Sequence, residues 1–190
     1  YAVKKITYEI GTNRGLPVIA FKMNYLHGHS EILRIRHCTS MDAAKEQIGK
    51  TLDMCNPSVV LRVDRYTDTD FTQLVQDYAQ NNPDTVMEVP KVTANIYPEN
   101  GEDRVIELIF TYQNSREKLR EMQRTVNSVF MSAELYVKET VQVSEIYSRL
   151  YSLILERNQY KIDTSITPTY SLLHHGVGDS SAFANVYAAM

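Results

Sequence analysis

Residues 169–190 read TYSLLHHGVGDSSAFANVYAAM, a glycine-punctuated segment followed by an apolar, alanine-rich one. The pattern predicts a loop that stops at Ser180, where an apolar helix begins. The first N–H groups of a helix are unpaired and carry a partial positive charge, which stabilises the anionic form of a nucleophile placed there. The stretch therefore indicates a reactive geometry at Ser180.

The spacing of six residues in this stretch resembles the nucleophile segment of bacterial-type transglutaminase-like proteins, which have a papain-like fold. These residues are Tyr170, Leu173, Gly176, Ser180, Ala184 and Tyr187. The family pattern has a catalytic cysteine at the position of Ser180. Serine keeps the size and hydrogen-bonding ability of that position, and the sequence leaves open whether the replacement is natural or engineered.

The resemblance implies a cysteine acyltransferase or peptidase that acts on protein or peptide amides. A thiolate would attack the amide carbonyl, with a histidine as base and an aspartate or asparagine to orient it. In the family both partners follow the nucleophile helix, so they are expected downstream of Met190. The helix dipole, worth about 0.3–1 kcal/mol, cannot ionise a serine hydroxyl near neutral pH. The resemblance thus implies a truncated chain that is inactive as it stands.

Other residues near Ser180 have two interpretations each. His174 or His175 could serve as its base, but adjacent loop histidines are more often surface residues, which is the interpretation we favour. Asp179 could orient the hydroxyl, but aspartate is a preferred helix cap, and the cap is favoured. The Gly-Val-Gly segment 176–178 lacks the lysine of a phosphate-binding loop and is predicted to be a tight turn.

Upstream of this stretch, Ser115 is predicted to cap a long amphipathic helix whose apolar residues share one face. They are Leu119, Met122, Val126, Val129, Phe130, Ala133 and Val137. A second amphipathic helix is predicted from Val143 to about Asn158. Helices of this kind precede the nucleophile segment in transglutaminase-like proteins, and residues 158–163 resemble the stretch that follows them there. The resemblance covers residues 117–190, and we assign residues 114–190 to the helical front part of a transglutaminase-like core.

Residues 1–113 have the pattern of a mixed α/β sandwich, so the predicted fold class is α+β. Ser40 is expected to cap a helix over residues 41 to about 54, and Asp68 or Thr69 a second helix that is ended by the Asn-Asn-Pro segment 81–83. Strands are predicted over residues 2–10, 18–26, 31–38, 58–65, 91–97 and 104–112.

The sequence predicts more specific features for four of these strands. Alternating apolar residues predict that residues 2–10 form a half-buried strand, followed by a turn over residues 11–15. The nearly continuous apolar run in residues 58–65 indicates an interior strand. The pair Asn100-Gly101 between the last two predicted strands makes these the clearest hairpin.

Composition excludes several classes of function. A net charge of −3 gives no electrostatic basis for binding nucleic acid or an anionic membrane, and no apolar run is long enough to span a bilayer.

Cys38 and Cys55 are too few for a disulfide framework and are interpreted as buried thiols. The pair His27 and His29 lacks an evident third ligand, so a solvated loop is favoured over a metal site, and no cofactor is predicted.

Localisation stays open, because the chain starts at Tyr1 without a methionine. An extracellular or cell-surface location is expected if an upstream signal or anchor has been removed. The partner predicted by the resemblance is a protein or peptide substrate. The alternatives are a non-catalytic peptide- or cell-surface-binding module built on residues 1–113, and an interaction protein that forms homo-oligomers through its C-terminal helix.

Overall fold

The protein has an α+β fold in a computed structural model that describes residues 3–25, 35–139, 142–162 and 165–190. Helices account for 45% and strands for 28% of the described residues, which confirms the predicted class. The strands are β1 (Val3–Asn13), β2 (Leu16–Tyr25), β3 (Arg36–Cys38), β4 (Ser58–Val63), β5 (Lys91–Tyr97), β6 (Arg104–Thr111), β7 (Gln159–Tyr160) and β8 (Val177–Gly178). The helices are α1 (Met41–Asp53), α2 (Phe71–Asn81), α3 (Arg116–Val137), α4 (Val143–Arg157), α5 (Pro168–His175) and α6 (Ser180–Ala189).

The chain forms two compact units. One comprises residues 1–44, 60–67 and 95–107, and the other comprises residues 45–59, 68–94 and 108–190. The domain boundary between residues 113 and 114 stays a prediction. His27, His29 and Asp163 lie outside the described residues, as does the first half of the strand predicted over residues 31–38.

The four-stranded sheet has the order β3-β4-β6-β5, and β3 runs parallel to β4. Leu61 and Val63 of β4 are completely buried. The interior strand predicted from the apolar run is therefore confirmed. β5 and β6 are neighbours in the sheet, and Gly101 in their connection has a φ of 108°, which favours glycine as expected for this hairpin.

Strands β1 and β2 form an antiparallel hairpin with a two-residue turn. Both turn residues, Arg14 and Gly15, have positive φ (53° and 80°), which matches the right-handed twist of the flanking strands. The prediction of a five-residue turn was wrong, because β1 continues to Asn13. The expected half burial was also wrong, since Ile6, Tyr8 and Ile10 are 59–72% exposed. Alternation shows which side chains share a face of a strand but not whether that face is covered.

The first two helices begin close to the predicted residues. Ser40 Oγ accepts a hydrogen bond from the Ala43 N–H (3.3 Å), as expected for the cap of α1. The cap of α2 is Asp70 rather than Asp68 or Thr69, because its carboxylate accepts from the N–H groups of Thr72 and Gln73 at 2.9 and 3.1 Å. One carboxylate thus satisfies two of the four unpaired donors of that helix end.

The first half of helix α3 packs in a buried apolar cluster. Ser115 caps it by accepting from the Lys118 N–H (3.3 Å), which confirms that prediction. Leu119, Met122 and Val126 form one buried cluster with Cys55 and Met87. Cys38 and Cys55 are both buried and are not linked by a disulfide, as expected, and burial raises the pKa of the Cys55 thiol.

Two buried polar side chains form hydrogen bonds that connect the first half of α3, and the residues directly before it, to earlier parts of the sequence. The Glu88 carboxylate accepts from the backbone N–H of Gln113 (2.5 Å) and from the backbone and side-chain N–H groups of Asn114 (3.1 and 2.7 Å). Gln123 Nε2 donates to the backbone carbonyls of Asp53 (2.8 Å) and Thr85. Each side chain is less than 10% exposed, so each bond is shielded from water.

Across the described ranges, no helix combines the length and the apolar character needed to cross a bilayer.

Candidate functional site at the start of helix α6

The segment before Ser180 is more ordered than the sequence predicts. Residues 168–175 form helix α5 rather than a loop, and the predicted tight turn at residues 176–178 contains the short strand β8. β8 lies parallel to β7: the Gln159 N–H donates to the Gly176 carbonyl (2.7 Å) and the Lys161 N–H to the Gly178 carbonyl (2.9 Å). Ser180 therefore follows a hydrogen-bonded strand rather than a free loop.

The ends of α5 carry sequence signals that could have identified it. Pro168 lies in the first turn, where its missing N–H costs nothing, and Gly176 ends the helix with a left-handed φ of 71°. The Gly176 N–H donates to the carbonyl of Leu172 (3.1 Å), which closes the last turn. Proline near the start and glycine past the end are typical of a short helix.

Gly178 allows α5 and α6 to pack closely against the segment that leads to Ser180. A Cβ at this position would lie 3.0 Å from Leu172 Cδ1 and 3.1 Å from Ala182 Cβ, closer than ordinary van der Waals contact. Leu172 and Ala182 are themselves buried, together with Ile154 and Val186. A side chain at position 178 would therefore force these neighbours to shift, next to the start of α6 at Ser180.

We expect Gly178→Val to lower the free energy of unfolding by about 1–3 kcal/mol, because overpacking forces α5 and α6 apart. Urea denaturation followed by circular dichroism measures the change. Gly11→Val is the matched control, since nothing lies within 4 Å of a Cβ at that exposed strand position. Equal stabilities of the two variants would contradict the packing role of Gly178.

Asp179 caps α6, as favoured from the sequence. Its carboxylate accepts from the Ala182 N–H at 2.8 Å. Ser180 is then the first helical residue, and its side chain is exposed. The first N–H groups of a helix point away from the helix body, so they favour negative charge near Ser180.

Ser180 lies at a cleft of about 330 Å³ between α4 and α6, which we call the aromatic cleft. Its walls include Tyr151, Leu155, Tyr160, Phe183 and Tyr187. Tyr187 is held in place because its hydroxyl donates to the Tyr147 carbonyl (3.1 Å) and its ring packs edge-on against Tyr151, with centroids 5.8 Å apart. The cleft thus joins a small polar group at a helix N-terminus to an apolar, aromatic surface.

The sequence did not predict the aromatic cleft. Tyr151 lies on the predicted second amphipathic helix and Tyr187 on the helix predicted to begin at Ser180, yet Tyr151 is more than half exposed. Tyr160 comes to the cleft from β7. Their convergence depends on how α4 packs on α6, which periodicity alone does not specify.

His174 and His175 lie elsewhere. Both are exposed in the last turn of α5, where the His174 ring stacks on Tyr170 with centroids 4.7 Å apart. They line a second cavity of about 460 Å³, together with Arg157 and Tyr136. No histidine of the described residues lines the aromatic cleft. Their location agrees with the favoured interpretation as surface residues, although on a helix rather than a loop.

Metal-binding geometry is not found in the part of the chain that the structure describes: no three His, Cys, Asp or Glu side chains lie together. No protein-family model, curated protein or solved structure matches the chain. The transglutaminase-like assignment therefore stays a prediction that rests on the residues of the nucleophile segment.

Proposed function

We propose that residues 114–190 are the front part of a transglutaminase-like core in which Ser180 stands at the position of the nucleophile. The observation that carries the proposal is the location of Ser180, which is both the first residue of α6 and part of the wall of the aromatic cleft. A nucleophile needs a stabilised anion and a neighbouring surface that binds the acyl substrate. Both are available around this one side chain.

The substrate class we propose is a protein or peptide amide. The aromatic cleft, of about 330 Å³, falls within the size range of binding pockets for small groups. Its tyrosine and phenylalanine walls suit an apolar side chain, and the Asn158 side chain in the lining suits a polar neighbour such as a peptide group. The cleft would therefore hold the part of a polypeptide next to the attacked carbonyl.

With serine at this position the chain would bind such a substrate without turning it over. A serine hydroxyl needs an adjacent base, and the described residues that line the cleft include none. The alternative function is a non-catalytic peptide- or cell-surface-binding module built on residues 1–113, in which Ser180 has no catalytic role. The two functions differ in whether a cysteine at position 180 becomes an activated nucleophile.

The test is the reactivity of a Ser180→Cys variant toward chloroacetamide between about pH 5 and 9. We expect its thiol pKa to fall clearly below the ordinary value of about 8.5, because the helix N-terminus stabilises the thiolate. Ser152→Cys is the control, an exposed position in the middle of α4. Cys38 and Cys55 are 3% and 4% exposed, so the native thiols contribute little background.

A second comparison separates the cleft from the helix end. Ser181→Cys adds a thiol to the same first turn at a position that does not line the aromatic cleft. We expect Ser180→Cys, but not Ser181→Cys, to react faster with N-benzylchloroacetamide than with chloroacetamide. An ordinary thiol pKa at position 180, together with no preference for the aromatic reagent, would contradict the proposed site.

A further inference from the structure

The β1–β2 hairpin has one apolar face and one polar face. The strand register pairs Ile6 with Met23, Tyr8 with Phe21 and Ile10 with Ile19. We call these six side chains the hairpin apolar face. Alternate pairs, including Thr7 with Lys22 and Glu9 with Ala20, point to the opposite side. The hairpin is therefore amphipathic over these pairs, although the opposite face also carries Val18 and Leu16 near the turn.

The hairpin apolar face is exposed to solvent. Its six side chains range from 49% exposed for Met23 to 72% for Ile10. A two-stranded hairpin with an uncovered apolar face is marginally stable in water, and contiguous apolar patches of this kind mark interaction sites. The face is therefore a candidate interaction surface.

The area and the charge of the hairpin apolar face favour a second copy of this chain as its binding partner. The six side chains expose on the order of 700 Å², close to the roughly 800 Å² that each partner buries in a standard interface. The face carries no charged residue, so a two-fold arrangement of two such faces leaves no charge unpaired. An anionic membrane is disfavoured, because the chain has a net charge of −3.

We propose that two copies associate through their hairpin apolar faces. The hairpins pack face to face as a small β-sandwich, with sheets about 10 Å apart. Tyr8 and Phe21, which form the central pair, supply the aromatic contacts that dominate such interfaces. The hairpin apolar face shares no residue with the aromatic cleft, so the proposed association does not rest on the proposed function.

The test is sedimentation equilibrium of the full chain and of two lysine variants. Phe21→Lys puts a charge at the centre of the hairpin apolar face, whereas Ala20→Lys puts the same charge on the opposite face, across from Glu9. We expect the unmodified chain and Ala20→Lys to dimerise at micromolar concentration, and Phe21→Lys to dimerise at least about tenfold more weakly. Circular dichroism verifies that both variants are folded.

Three results would overturn the proposal. The first is a monomer at all accessible concentrations. The second is a dimer that Phe21→Lys leaves intact but Tyr151→Lys on α4 disrupts, which would assign association to the helices around the aromatic cleft. The third is a monomer that sediments with phosphatidylcholine vesicles, which would assign the hairpin apolar face to a lipid surface.

Discussion

Replacement of Glu88 by alanine is expected to lower the free energy of unfolding by about 3 kcal/mol. The carboxylate is 4% exposed and accepts three hydrogen bonds, from the backbone N–H groups of Gln113 and Asn114 and from the Asn114 side chain. Alanine leaves all three donors without an acceptor at the point where the chain enters α3. Urea denaturation followed by circular dichroism at neutral pH measures the loss.

Glu88→Gln tests the same hydrogen bonds without changing the size of the side chain. Both carboxylate oxygens accept from N–H groups, so the glutamine amide must direct its own N–H₂ at one set of donors. We therefore expect a loss close to that of Glu88→Ala. Glu121→Gln on α3 is the control, because its pair with Lys118 is exposed and worth little. A Glu88→Gln variant as stable as this control would contradict the three-donor arrangement.

Replacement of Gln123 by leucine is expected to lower the free energy of unfolding by about 2–4 kcal/mol. Leucine has a similar volume but no donor, so the Asp53 and Thr85 carbonyls lose the N–H₂ group that joins them to α3. The effect is large because Gln123 is 7% exposed, next to the buried cluster of Cys55 and Met122. Denaturation of the full chain with urea provides the measurement.

Asn127→Leu is the matched control for Gln123→Leu, one turn further along α3 at an exposed position. We expect it to change stability by less than about 0.5 kcal/mol. Equal effects of the two leucine substitutions would show that the bonds of Gln123 do not stabilise the fold. Amide exchange near Thr85 would then also be unchanged, whereas we expect it to accelerate in Gln123→Leu.

The elements predicted correctly are those with local signals. Ser40 and Ser115 cap α1 and α3 through bonds to N–H groups three residues later, so a short sequence window contains both partners. The buried strand β4 was recognisable from its apolar run alone. Such signals depend only on residues that are close in sequence, so they can be recognised before the fold is known.

The errors arose where two local signals competed or where burial decided the outcome. Asp68, Thr69 and Asp70 are all acceptable caps, and only the backbone geometry selects Asp70. Residues 168–175 were predicted as part of a loop because Gly176 and Gly178 follow them, whereas Pro168 in the first turn is a signal for the start of a helix. The exposure of β1 could not be read from alternation, since covering a face requires partners that are distant in sequence.

Capping and helical periodicity are local properties, so residues 179–190 alone were enough to predict that Ser180 begins an apolar helix capped by Asp179. Only the tertiary structure brought Tyr151 and Tyr160 together around Ser180 and located His174 and His175 at another cavity. It also left the hairpin apolar face exposed. The physical reason is that burial and side-chain convergence come from contacts between elements far apart in the chain, which no local pattern encodes.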